Sequence, residues 1–186
     1  MDIPFIESPH RTQAEGRTID LVVIHTMEVA EHSGAAESCA RWFASARSQV
    51  SAHYCVDADS VVQCVREQDI AWHARGGNKT SIGIELAGHA GQGPRGWDDG
   101  YSWSVLMLGA ALTADICTRY AIPVRWLRAP GLRAQRAGIT GHGDVSKAFE
   151  RSDHWDPGPA FPVKRFLGLV RAAASNRAPG DALSFL

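Results

Sequence analysis

A single α/β domain is the fold class this chain predicts, and three observations predict it. Its 186 residues fall near the length of about 100–200 that one domain occupies, so one core is expected. Hydrophobic residues make up 45% and charged residues 21%, ordinary values for a folded globular protein, which excludes disordered and low-complexity readings. Runs rich in β-branched residues alternate along the chain with segments of helical periodicity.

Ile19-Asp20-Leu21-Val22-Val23-Ile24-His25 reads as a buried strand that delivers His25 at its carboxyl end. From Gly34 to about Ala46, Ala36, Cys39, Ala40 and Phe43 recur at helical spacing, with Arg41 and Arg47 left for the solvent side. His53-Tyr54-Cys55-Val56 and Val61-Val62-Gln63-Cys64-Val65 flank the turn-rich Asp57-Ala58-Asp59-Ser60, the pattern of an antiparallel hairpin. Ser81-Ile82-Gly83-Ile84-Glu85-Leu86 alternates as a further strand, with Ile82 and Ile84 facing the same way. The glycine-rich stretch Gly88–Gly100, with Pro94 and Trp97, reads as a mobile loop and carries no phosphate-cradling motif. The longest helix is expected from about Ser102 to Tyr120, with Val105, Leu108, Leu112 and Ile116 along its apolar face and Pro123 stopping it. The arginines of Arg128–Arg136 read as an exposed, solvated segment. Gly138-Ile139-Thr140-Gly141-His142 then resembles a short strand ending at a second histidine, and Phe161 to about Ala174 supplies a last amphipathic helix.

Lys and Arg number 19 against 20 Asp and Glu, so the net charge of -1 leaves no surplus of cations for a phosphate backbone and nucleic acid is not an expected partner. No window approaches the roughly 18 apolar residues of a membrane span. Met1–Glu7 lacks the apolar run of a secretory signal, so the chain as given is expected to be cytoplasmic when made. Cys39, Cys55, Cys64 and Cys117 are scattered and form no Cys-x-x-Cys; they read as buried thiols, with a Cys55–Cys64 bridge open to the hairpin in an oxidising compartment.

Eight His and six Trp are the unusual counts. Potential metal ligands end three segments, Ile24-His25-Thr26, Gly141-His142-Gly143-Asp144 and Asp153-His154-Trp155-Asp156-Pro157-Gly158-Pro159. A catalytic zinc needs neutral imidazoles, often one carboxylate, and a fourth position kept open. No His-Glu-x-x-His is present, and spacing alone leaves two readings standing: a zinc site, or histidines that satisfy hydrogen bonds.

The chain resembles the zinc-dependent N-acetylmuramoyl-L-alanine amidases, a family that takes in phage endolysins, bacterial anhydro-muropeptide amidases and animal peptidoglycan recognition proteins. The resemblance lies in Val23-Ile24-His25-Thr26, Val50-Ser51-Ala52-His53-Tyr54, Ala71-Trp72-His73-Ala74, Ser81-Ile82-Gly83-Ile84-Glu85-Leu86, Ile139-Thr140-Gly141-His142 and Asp156-Pro157-Gly158-Pro159-Ala160-Phe161-Pro162, in family order. It implies a single domain with a mixed central sheet of about five or six strands flanked by helices. It divides the chain into an N-terminal extension (1–18), a zinc amidase catalytic domain (19–174) and a C-terminal tail (175–186). It further implies hydrolysis of the amide between N-acetylmuramic acid and L-alanine in peptidoglycan or muropeptides; the chain is expected to act as a monomer, without a membrane partner. A phage lysin of this kind reaches the wall after release through a holin.

Position by position, the resemblance makes His25, His142 and Asp156 the zinc ligands and Glu85 the general base. His154 stands where many relatives carry an oxyanion-stabilising Lys, and an imidazole N–H can serve that purpose; a rival assignment makes His154 a ligand in place of Asp156. Trp72, His73 and Asn78 fall where relatives line the substrate groove, the Gly88–Gly100 loop with Trp97 is a candidate sugar cover, and His53 is expected to brace a neighbour rather than touch zinc. Ala52 departs from members that place a catalytic Tyr there. Two alternatives to the hydrolase are a non-catalytic peptidoglycan-binding module and a zinc peptidase acting within stem peptides.

Overall fold

The computed structural model describes residues 3–176. In chain order its elements are β1 (Arg11–Thr12), β2 (Leu21–Thr26), α1 (Ala35–Ala44), β3 (Tyr54–Val56), β4 (Val61–Gln63), β5 (Ile70–Ala71), β6 (Ser81–Leu86), α2 (Gly100–Arg119), α3 (Ala129–Arg133), β7 (Gly138–Gly141), α4 (His142–Phe149) and α5 (Val163–Ser175), with 3-10 turns at Asn78–Thr80 and Pro94–Trp97. Five strands form a mixed sheet in the order β4-β3-β6-β2-β7, and β1 pairs with β5 in a separate ribbon. β2 lies parallel to both β6 and β7, β3 parallel to β6, and only the β3–β4 hairpin is antiparallel. The expected number of strands, their mixed directions and the flanking helices are all present.

Side-chain alternation along β2 and β6 separates the two faces of the sheet. Val22 and Ile24, with Ile82, Ile84 and Leu86, enter the main core with Leu106, Leu112 and Ile116 of α2 and Phe166 and Val170 of α5. The other face carries two smaller clusters: Leu21 and Val23 beneath Leu132 of α3 and Val145 of α4, and Cys55 and Val62 beneath Ala36, Ala40 and Phe43 of α1. The strand residues of opposite parity to Ile24 and Ile84, His25 and Glu85, therefore face the side where the helical cover is divided. A groove is available there because no single helix spans both clusters.

Helix ends follow local chemistry. α2 starts where the Asp99 carboxylate accepts from Ser102 N at 2.8 Å and ends before Pro123, close to the expected limits. Asp57, in the β3–β4 turn, accepts from Ala36 N at 3.0 Å with one oxygen and from Ser60 N at 2.8 Å with the other, tying α1 to the hairpin. The Arg128–Arg136 segment departs from the solvated-loop expectation: Pro130 in its first turn supports α3, and Leu127, Ala129 and Leu132 are buried. α4 was not expected as a helix at all. Residues 3–18 are sewn to the domain, since Ile6 N and Ser8 N donate to Gln63 and Cys64 carbonyls, and Arg17 donates to the Ser81 and Glu67 carbonyls. Residues 177–186 of the expected tail lie outside the described residues. Cys55, Cys64 and Cys117 are buried thiols and Cys39 is half-buried; the Cys55 and Cys64 sulfurs lie 3.7 Å apart as free groups. No helix among the described residues is long and apolar enough to cross a membrane.

A buried polar knot lies beyond the far end of β4. Glu67 accepts from Tyr54 Oη at 2.8 Å, Tyr120 Oη at 2.7 Å and both Arg119 terminal nitrogens at 2.5 and 2.8 Å. Burial works to raise the Glu67 pKa, but the hydrogen bonds and charge of Arg119 outweigh it and the net shift is downward. A carboxyl with a lowered folded pKa contributes stability in full above its unfolded pKa of about 4.3 and loses it as pH falls through the folded value. Glu67→Gln is expected to cost about 2–3 kcal/mol at pH 7, below the figure for a wholly buried pair because Arg119 keeps some solvent contact. Urea unfolding of both proteins at pH 7 and pH 3 checks this: the gap between them should narrow at the acid end.

Candidate functional site

Three remote parts of the chain meet on the divided face. His25 closes β2, His142 opens α4 directly after β7, and Asp156 comes from the loop that precedes α5. Asp156 Oδ2 lies 3.0 Å from His25 Nδ1 and its Oδ1 lies 3.2 Å from His142 Nδ1. One ligand atom from each of the three buried residues falls within 4.8 Å of the others. Tetrahedral coordination at about 2.0–2.2 Å places ligand atoms roughly 3.3–3.6 Å from one another, so the set fits a single divalent ion. Burial works to raise the Asp156 pKa, yet the two imidazoles that flank it, His142 and His25, hold it well below the usual carboxylate range. Burial lowers the His142 pKa and outweighs the opposing pull of Asp156, so its imidazole is neutral at neutral pH, as a metal ligand must be. The donor set is therefore two imidazoles and a carboxylate.

Backbone contacts hold the Asp156 loop in place. Gly143 N donates to the Asp156 carbonyl at 2.8 Å, joining the start of α4 to the loop. Glu28, which the sequence reading did not single out, accepts from Thr26 Oγ1 at 2.6 Å and Ala90 N at 2.7 Å, fixing the segment after β6 against the end of β2. Gly158 rests on that segment at φ 87°, and a Cβ there would overlap the Ala90 carbonyl oxygen. Gly158→Ala is accordingly expected to destabilise by more than about 1 kcal/mol and to weaken metal binding, since both its conformation and its contact oppose a side chain. Thermal melting together with chelator competition reads both effects.

Glu85 pairs in register with His25 across β2 and β6, which puts neighbouring side chains on one face. Its carboxyl lines the same groove of about 260 Å³ as His25, His142 and Asp156. Burial pushes the Glu85 pKa well up, and the nearby Asp156 carboxylate adds to the shift. His154 stacks on His142 with ring centroids 4.4 Å apart at 13°, largely exposed, with Nδ1 3.7 Å from Asp156 Oδ1. It edges the groove outside the three-ligand cluster. The Ala52 position holds no hydroxyl, and Tyr54 Oη is committed to Glu67 on the other side of the sheet.

Trp72 is exposed along the groove rim, with Nε1 donating to Thr12 Oγ1 at 3.0 Å. A second cavity of about 500 Å³ continues past Trp72, His73, His142 and His154 to Asn78, Arg75 and Arg151. Asn78 Oδ1 accepts from His73 N at 3.2 Å and Ala74 N at 2.6 Å, bracing the loop that carries them. His53 is buried and braces strands as expected: its Nδ1 accepts from Gly83 N at 3.0 Å, and burial, aided by Arg17, brings its pKa down to about 3. Trp97 is a correction. Its ring is buried against Phe161 at 5.1 Å, because the Pro94–Trp97 turn tucks it under α2, so it covers no sugar.

A family model described as N-acetylmuramoyl-L-alanine amidase matches residues 15–159 of this chain. The chain belongs to that amidase family. N-acetylmuramoyl-L-alanine amidase A of Achromobacter lyticus is 32% identical over 166 residues, covering 83% of this chain and 85% of its own length. The N-acetylmuramoyl-L-alanine amidase AmiD of Escherichia coli (strain K12) is 33% identical over 132 residues, covering 61% of this chain and 42% of AmiD. The solved structure of the Staphylococcus aureus hydrolase AmiA with its ligand superimposes with a TM-score of 0.71 at 16% identity, over 94% of this chain and 83% of AmiA. The amidase-family fold is thus common to chains of low overall identity.

Proposed function

We propose that this amidase-family protein hydrolyses the amide joining the lactyl group of N-acetylmuramic acid to L-alanine in peptidoglycan or muropeptides, with one zinc ion held by His25, His142 and Asp156. The observation that carries the reading is the buried cluster of two imidazoles and one carboxylate beside Glu85 at the head of an open groove. Held by these three residues, a zinc ion would supply Lewis acidity to the scissile carbonyl and to the attacking water. Glu85 takes the proton of the attacking water and delivers it to the departing L-alanine nitrogen. His154, at the groove edge, offers an N–H to the oxygen that gains charge. Trp72 presents a flat apolar surface to the sugar or peptide, and His73 and Asn78 wall the adjoining cavity, where Arg75 and Arg151 suit the carboxylates of a stem peptide.

The test is digestion of purified muropeptides and of cell walls, with and without a chelator, followed by mass spectrometry. New L-alanine amino termini paired with free lactyl carboxylates, abolished by the chelator and restored by zinc, are expected. Binding without cleavage at every pH tried would favour the non-catalytic module. Peptides shortened within the stem would favour the peptidase.

A further inference from the structure

We propose that His73 is a positioning residue for the metal centre: held by the Ser81 hydroxyl, it accepts the His25 Nε2 proton and leaves the His25 Nδ1 lone pair aimed at the metal. The inference rests on the metal reading above and deepens it. Its starting point is a proton whose place is fixed. Ser81 Oγ lies 2.8 Å from the Gly77 carbonyl oxygen, which can only accept, so the hydroxyl hydrogen sits between them. Ser81 Oγ also lies 3.1 Å from His73 Nε2, and with its own hydrogen committed it must accept there. His73 Nε2 therefore carries hydrogen, and in a neutral ring Nδ1 is an acceptor. That Nδ1 lies 3.0 Å from His25 Nε2, which donates to it.

Neutral His25 then has its lone pair on Nδ1, the atom 3.0 Å from Asp156 Oδ2. Two acceptors facing each other at that distance repel unless a cation lies between them. The opposite polarity moves the conflict to the other end of the chain, where lone pairs of His73 Nε2 and Ser81 Oγ would face each other. The relay and the metal thus require the same tautomer of His25. Fixing a ligand's tautomer and raising its basicity through the second ring nitrogen is a general device of metal sites.

The fold builds this relay from the sheet face. Ser81, Gly83 and Glu85 point the same way from β6, and His25 neighbours Glu85 on β2. The His73 ring occupies the space above Gly83, where a Cβ would come within 2.6 Å of His73 Cγ. From there the ring meets His25 nearly edge-on, with centroids 5.1 Å apart at 86°, while its far nitrogen reaches Ser81. Both ring nitrogens are engaged, so contact with substrate in the groove is left to the ring's remaining surface.

Asn and Leu have nearly the same shape, and only Asn keeps an acceptor near the place of His73 Nδ1. His73→Asn and His73→Leu are compared with wild type by zinc competition against a chromophoric chelator, with melting of each zinc-free form as a folding check. His73→Leu is expected to weaken zinc about 10–100-fold, the scale of a lost supporting partner, and His73→Asn to stay within about threefold of wild type. Ser81→Ala should weaken zinc by a smaller factor, and it decides the matter if the Leu variant does not fold. In the zinc-loaded wild type, nitrogen-15 NMR should show His25 bound through Nδ1 with Nε2 protonated. Equal affinities for the Asn and Leu variants, an unaltered Ser81→Ala, or coordination through His25 Nε2 would each overturn the relay. A wild type that takes up no zinc would instead remove the metal reading beneath it.

Discussion

Asp156→Asn is expected to leave the protein folded but largely without zinc, with amidase activity down by more than about 10³-fold, the scale on which loss of a transition-state stabiliser is felt. The aspartate is the only anion in the cluster of three, and its two oxygens each face one imidazole. Asparagine keeps the shape while removing the charge, and its amide hydrogens can bond the His25 or His142 Nδ1 lone pair that the metal would otherwise take. The substitution therefore changes an attractive site into a self-satisfied one, which also predicts little loss of stability in the zinc-free form. Elemental analysis of the purified variant, beside His25→Ala and wild type, provides the measurement. About one zinc per chain is expected in wild type and far less in both variants. Full zinc in Asp156→Asn alone would transfer the third ligand to His154, whose ring already lies against His142.

The strands that carry His25 and Glu85 were legible because burial on both sheet faces leaves a β-branched run, and such a run ends sharply where a polar residue appears. The division of the opposite face was not legible, since it depends on which helices cover which strands. α4 was hidden for a local reason. Gly141-His142-Gly143-Asp144 has two glycines and poor helix propensity, and the helix forms there because Val145 and Ala148 pack under Leu132 while Gly143 N bonds the Asp156 carbonyl. The three metal ligands were reached through a family resemblance, because residues 25, 142 and 156 carry no spacing signal of their own. Trp97 was misplaced for want of a tertiary partner, which Phe161 supplies. The His73 relay did leave one trace: a glycine inside an otherwise good strand marks the close approach of another group, and Gly83 is that glycine.

Glu85→Gln is expected to lower kcat by about 10²–10⁴-fold, the usual contribution of a positioned proton carrier, while zinc content stays near that of wild type. The two readouts separate because Glu85 stands beside His25 in register but outside the cluster that can hold the metal. Glutamine retains the size and hydrogen-bonding outline of the side chain yet accepts no proton from water, so KM should change far less than kcat. Stability gives a further sign. Burial penalises the Glu85 charge, and the Asp156 carboxylate adds to that penalty, so the neutral side chain should melt at a temperature equal to or above that of the zinc-free wild type near pH 7. Lower turnover joined to undiminished stability is what a residue retained for chemistry would show, whereas a bracing residue would lose both together. Unchanged kcat at full zinc occupancy would remove Glu85 from the reaction and send the search for the proton carrier to His154 at the groove edge.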